Sequence, residues 1–147
     1  MKKQLTDPRR HALDYIHEMR AQGISLAFTV QSLYDYMDLL IDKYRGGNHL
    51  ERDNSCYSQP KFTALTAWAG ETLARTYNGF WEGEFYSNKP GLNYYTSKVV
   101  FKNYEFRPDL WIGNCFANGR GAQGEEYKTY ASYLSKLVIP AIVNQPG

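Results

Sequence analysis

Glu82 and Glu84 stand two apart in a stretch, Phe80 to Tyr86, whose residues alternate as those of a strand do. On an extended chain both carboxylates project to one side, with Cα atoms roughly 6.5–7 Å apart. Two carboxylates so placed can divide the roles of general acid and general base. A solvated strand face accounts for the pair equally well. Cys56 or Cys115 with His49 would supply a thiol nucleophile and its base. No local signature flanks either cysteine, and Cys115 lies in an apolar run where a small core residue belongs.

His11, Asp14 and Glu18 share one side of a helix at 3.6-residue periodicity and could hold a metal ion weakly. The same positions lie opposite the apolar stripe, where solvated polar residues belong, and His17 points elsewhere. The run Gly119 to Gly124 matches G-x-G-x-x-G and precedes a helical pattern. A dinucleotide site needs a strand before those glycines and a βαβ unit after them. Too little chain follows for that unit, and Glu125 and Glu126 place negative charge where a pyrophosphate would sit. A flexible glycine loop is the expected reading, and no cofactor is expected.

The strongest interaction signal is acidic. Asp35, Asp38 and Asp42 form a stripe about two turns long on a helix, flanked by Tyr34 and Tyr36. A solvated helix face produces such a stripe. So does a docking surface for a basic partner, with the tyrosines as aromatic anchors. Lys2, Lys3, Arg9 and Arg10 cluster near the first residue, but Asp7 and Asp14 interleave with them.

The elements that must position these groups are legible from periodicity and punctuation. Residues 8–22 read as a helix, with Asp7 as cap, Pro8 at its first position, an Ala12–Ile16–Met19 face and Gly23 at its end. Residues 30–45 read as a second helix, capped by Thr29 and stopped by Gly46-Gly47. Leu33, Met37, Leu40, Ile41 and Tyr44 make its apolar stripe. Residues 48–58 read as a polar loop. A third helix is expected from Gln59 to Tyr77, with Ser58 as cap, Asn78-Gly79 as closure and a back of small residues, Ala64, Ala67, Gly70 and Ala74.

Strand character follows. Phe80 to Tyr86 and Tyr94 to Lys102 alternate around Asn88-Lys89-Pro90-Gly91, a type II turn signal, and predict a β-hairpin. Glu82, Glu84, Lys98 and Lys102 are expected on its solvent face, paired across strands. A short third strand is expected over Tyr104 to Arg107. Residues 109–118 suit helix and strand alike. Residues 125–139 predict a closing helix that Pro140 ends or kinks.

The bulk composition bounds the class. Apolar residues make up 43% and charged residues 22%, which is ordinary for a globular chain and argues against disorder. With 13 Tyr, the chain is rich in side chains that bury a ring and keep a polar tip. A net charge of +2 is too small for a dedicated nucleic-acid binder. Two cysteines make no secreted disulfide framework. No apolar segment follows the first lysines, and no run reaches the ~18 residues of a membrane span. The cytosol is the expected address and no membrane partner is expected.

The stretch Gly70-Glu71-Thr72-Leu73, then Asn78-Gly79-Phe80-Trp81-Glu82-Gly83, then Phe106-Arg107-Pro108, resembles small bacterial domains, some of them immunity proteins of contact-dependent growth inhibition. The resemblance spans about residues 65–140 and brings no binding residue with it. It implies a cytosolic, non-catalytic protein that binds one partner tightly. The expectation is an α+β fold in one domain, residues 1–147. Three N-terminal helices precede an antiparallel meander of two to three strands, and a C-terminal helix packs on the sheet. The expected function is binding and blocking a cognate toxin through Tyr34, Asp35, Asp38, Asp42, Glu82 and Glu84. A small hydrolase-like enzyme using Glu82 and Glu84 or a thiol is the first alternative, and a weak nucleic-acid binder the second.

Overall fold

In a computed structural model of the chain, the residues described are 3–4, 8–45, 61–82, 86–87, 98–102, 104–108, 112 and 129–143. The fold is α+β. Strand β1 (Lys3–Gln4) precedes helices α1 (Pro8–Ala21), α2 (Val30–Arg45) and α3 (Phe62–Tyr77). Strands β2 (Phe80–Glu82), β3 (Tyr86–Ser87), β4 (Lys98–Val100) and β5 (Glu105–Phe106) follow. Helix α4 (Tyr130–Tyr133) then runs through a π-helical turn (Leu134–Val138) into α5 (Ile139–Val143).

The helix ends follow sequence chemistry. Pro8 opens α1, and Gly23 closes it at φ 87°. There the Ile24 N–H reaches the Met19 carbonyl at 2.9 Å and the Gly23 N–H reaches that of Arg20 at 3.0 Å. This is a Schellman closure, and Ile24 and Met19 lie in the same apolar cluster. Thr29 caps α2 by accepting the Ser32 N–H at 3.1 Å. Asn78 closes α3 in the left-handed region, its N–H directed to the Ala74 carbonyl. The expected start of α3 at Gln59 shifts to Phe62, where Lys61 precedes it without a side-chain cap bond. Ser58 and Asp7 lie outside the described residues.

Helix α3 is the centre of the molecule. From Thr63 to Ala74 every residue is buried, so the helix has no solvent stripe. Its small side chains admit close neighbours. Ala67 packs with Ala12 of α1, and Tyr15 and Trp68 rings approach to 6.4 Å between centroids. The Trp68 indole donates to the Ala27 carbonyl at 2.9 Å, which ties the α1–α2 loop to α3. Leu33, Met37, Leu40 and Ile41 of α2 enter the same core. On the α1–α2 side, Tyr44 donates its hydroxyl to the Met19 sulfur at 3.8 Å. The Tyr44 hydroxyl also meets that of Tyr15 at 2.6 Å.

Two antiparallel sheets are present among the described residues. β2, β4 and β5 form one in that order, and β1 pairs with β3. Phe80, Trp81 and Glu82 face Val100, Val99 and Lys98, so the two expected strands pair antiparallel. The expected turn between them lies outside the described residues. Tyr86, expected to end β2's strand, pairs with Gln4 instead, and Ser87 beside it pairs with Lys3. Two residues near the chain start carry no alternation to signal such a pairing. Val99 and Phe106 are fully buried against the helices, as alternation requires.

The closing helix departs from expectation in two ways. Its start moves from residue 125 to Tyr130, because Thr129 is extended (φ −130°, ψ 163°) and caps it by accepting the Ser132 N–H. Its first turn is seated on α2, while Leu134, Val138 and Ile142 join the core cluster that also holds Val99 and Phe106. Pro140 neither ends nor precedes a break. The helix continues to Val143, and the turn before Pro140 widens so that the Ile139 N–H reaches the Leu134 carbonyl, five residues back. A proline without an N–H, whose ring crowds the carbonyl four residues earlier, explains why the widening falls there. Of residues 109–118, Ile112 has helical backbone and is fully buried; the others lie outside the described residues.

Candidate functional site

The acidic stripe of α2 divides on inspection. Asp38 is half-buried, and its two carboxylate oxygens accept the backbone N–H groups of Tyr130 at 2.8 Å and Ala131 at 3.2 Å. With Thr129 holding Ser132, the first three N–H groups of α4 all have acceptors. Asp38 therefore serves the fold. Tyr34 and Tyr36 are half-buried and pack on the core cluster, so they form its rim. Burial, and then the nearby Tyr77, push the Tyr34 hydroxyl above the ordinary tyrosine range.

What α2 leaves open is a narrower face. Asp35 is exposed and accepts from the Gln31 amide at 2.9 Å, one turn earlier. Leu39, one turn later, is 65% exposed, and Asp42 and Lys43 follow it. Sequence reading passed over Leu39 because it stands in an apolar run with Leu40 and Ile41, which are buried. The signal was its spacing, four residues after Asp35 and so on the acidic side.

The second open surface is the outer face of the three-stranded sheet. Lys98 on the central strand donates to Glu105 at 2.9 Å and lies 3.6 Å from Glu82. The expected pairing of Glu82 with Lys98 is thus present, and Glu105 completes a triple spanning three strands. The Glu105 hydrogen bond is the main cause that raises the Lys98 ammonium above its ordinary range. Beside the triple, Phe80 is 58% exposed, with Val100 as its cross-strand neighbour. Period-2 spacing from Glu82 was the signal for Phe80 facing outward. Glu84 lies outside the described residues.

The other groupings resolve into structural pairs where they are described. Asp14 accepts from Arg10 at 3.1 Å, and Glu18 pairs with Lys61 at 2.6 Å, bridging α1 to the start of α3. Among the described residues no three histidine, cysteine, aspartate or glutamate side chains gather closely enough to hold a metal ion. His49, Cys56, Cys115 and the Gly119 to Gly124 loop lie outside the described residues, as do the side chains of Lys2 and Lys3.

The three short motifs behind the resemblance meet at one place. Trp81 lies over Gly70, where a Cβ would collide with its ring, and the Pro108 ring is 3.2 Å from that same point. The Trp81 indole donates to Glu71 Oε1 at 3.1 Å. Glu71, only 5% exposed, gives its other oxygen to Arg75 Nε at 2.7 Å. These residues lock the sheet onto α3.

The chain matches no protein-family model, no curated protein and no solved structure.

Among the described residues no helix is long and apolar enough to cross a membrane.

Proposed function

We propose that the chain is a non-catalytic protein-binding domain, and in its most specific form an immunity protein that binds a cognate toxin and covers its active site. The supporting observation is Leu39, a large apolar side chain standing 65% exposed between Asp35 and Asp42 on the face of α2. An apolar anchor with an acid one turn to either side suits a partner that sets basic groups beside a small hydrophobic pocket. Asp38, half-buried and engaged in its cap, contributes rigidity to that face and little contact. The outer sheet face, with Phe80 beside Glu82, offers a second contact area. The mechanism is steric occlusion and needs no chemistry from this chain.

Co-purification with the product of the adjacent gene, followed by size exclusion, tests the reading. A stable complex is expected, and Leu39→Arg and Asp35→Arg should each disperse it while leaving the unfolding midpoint unchanged. Surface replacements of this kind stay within about 0.5 kcal/mol in stability. Failure to bind any adjacent-gene product would sink the immunity reading. A complex indifferent to both substitutions would remove α2 as the surface.

A further inference from the structure

Three exposed residues follow one ridge of α2 at four-residue spacing: Asp35, Leu39 and Lys43. Leu39, at the centre, is 65% exposed. Asp35 and Lys43 stand two turns apart, about 12 Å along the axis, so they cannot pair within one helix. Among the described residues, the Asp35 carboxylate meets the Gln31 amide and no cation, and Lys43 meets no carboxylate. The ridge thus carries an acid at one end, a base at the other and a leucine midway. Turned end for end about Leu39, it presents base where it had acid. The pattern is complementary to itself.

We propose that this ridge is a two-fold contact between two copies of the chain. Two α2 helices that run antiparallel and cross near Leu39 bring the two leucines together and set Asp35 of each copy beside Lys43 of the other. Rows of residues four apart pack against each other at a crossing angle of about 50°, which keeps both ridges in register. Each pairing then occurs twice, as two-fold symmetry requires. A parallel arrangement would set acid against acid and base against base. The leucines supply the apolar burial, while the exposed ion pairs fix direction and register and add little affinity. The contact is small, so the dimer is weak and forms at high protein concentration. The toxin-binding reading uses the same face of α2, and a toxin seated on Leu39 would displace the second copy. The self-contact does not depend on that reading.

The test is sedimentation equilibrium of the full-length protein alone, at low salt and at concentrations up to about 1 mM, where weak contacts become populated. A monomer–dimer equilibrium is expected. Asp35→Lys and Lys43→Asp each turn two attractions into two repulsions and should weaken association roughly tenfold or more. An equimolar mixture of these two variants restores opposite charges at both ends and should recover the dimer. Far-ultraviolet circular dichroism certifies that both variants fold. A wild-type chain that stays monomeric throughout would overturn the proposal. So would a dimer that survives both reversals, which would place the contact elsewhere, or a mixture that remains monomeric, which would exclude the antiparallel register. No toxin is present, so loss of the dimer leaves the toxin-binding reading to its own co-purification test.

Discussion

The Asp38 carboxylate accepts the Tyr130 backbone N–H at 2.8 Å across 92 positions of chain. It is a helix cap supplied from another helix. The charge also lies where the α4 dipole is positive, so hydrogen bonding and electrostatics act together. Asp38→Ala should cost about 1–2 kcal/mol, in the range of lost N-caps. Asp38→Asn keeps an acceptor and should cost less. Urea unfolding of the free protein checks both, and an unchanged midpoint in Asp38→Ala would return this residue to the docking face.

Gly70→Ala separates helix propensity from packing. In an open helix the change stabilises by about 1 kcal/mol. Here the added methyl meets the Trp81 ring. The expected outcome is a loss of about 1–3 kcal/mol, as for other overpacked sites. Trp81→Leu in the same chain should recover part of it. A double-mutant cycle reads the coupling, and additive effects would mean that the two residues do not touch.

Glu71→Ala should strand the Trp81 N–H and release Arg75 from its anchor. The expected cost is about 1–3 kcal/mol, the usual consequence of leaving a buried partner unmade. Glu71→Gln, which keeps an acceptor for the indole, should lose less. Near-ultraviolet circular dichroism follows the indole environment, and an unperturbed spectrum in Glu71→Ala would contradict the bond.

His11 makes stability depend on pH. Burial is the main cause holding its imidazole below the ordinary 6.5; Lys61 acts in the same direction, while Asp14 and Glu18 oppose it. A lowered value in the fold means that the neutral ring is favoured there. The full contribution is present above about pH 6.5, shrinks as pH falls, and is gone below the folded value. The unfolding midpoint should therefore drop between pH 7 and 5 with a slope that His11→Gln reduces. An identical slope in both proteins would show that other groups set it.

Much of the architecture was legible because local chemistry and burial agreed. Thr29, Gly23 and Asn78 each mark a helix end by a side chain or backbone geometry that few residues supply. The α2 stripe and the inward Val99 follow from period alone. What was not legible depends on distant chain. Asp38 looks identical to Asp35 in sequence, and only the arrival of α4 distinguishes a cap from an exposed acid. The start of α4 did carry a local signal: Thr129 and Ser132 repeat the Thr29 and Ser32 spacing of α2. The β1–β3 ladder had none. For the surface, Glu82 and Asp35 were visible, whereas Leu39 and Phe80 required knowing which apolar residues the core leaves out.

Gly70, Glu71, Trp81 and Pro108 each help to hold the sheet against α3. Residues that must interlock resist change, while contact residues are free to follow a changing partner.

The Asp38 cap also has a consequence in time. At ordinary synthesis rates, the stretch separating Asp38 from Tyr130 takes roughly 5–20 s to emerge. Throughout that interval α2 carries an uncompensated charge on a surface meant to be covered. During synthesis the seat of α4 on α2 thus stays uncovered until that helix is made.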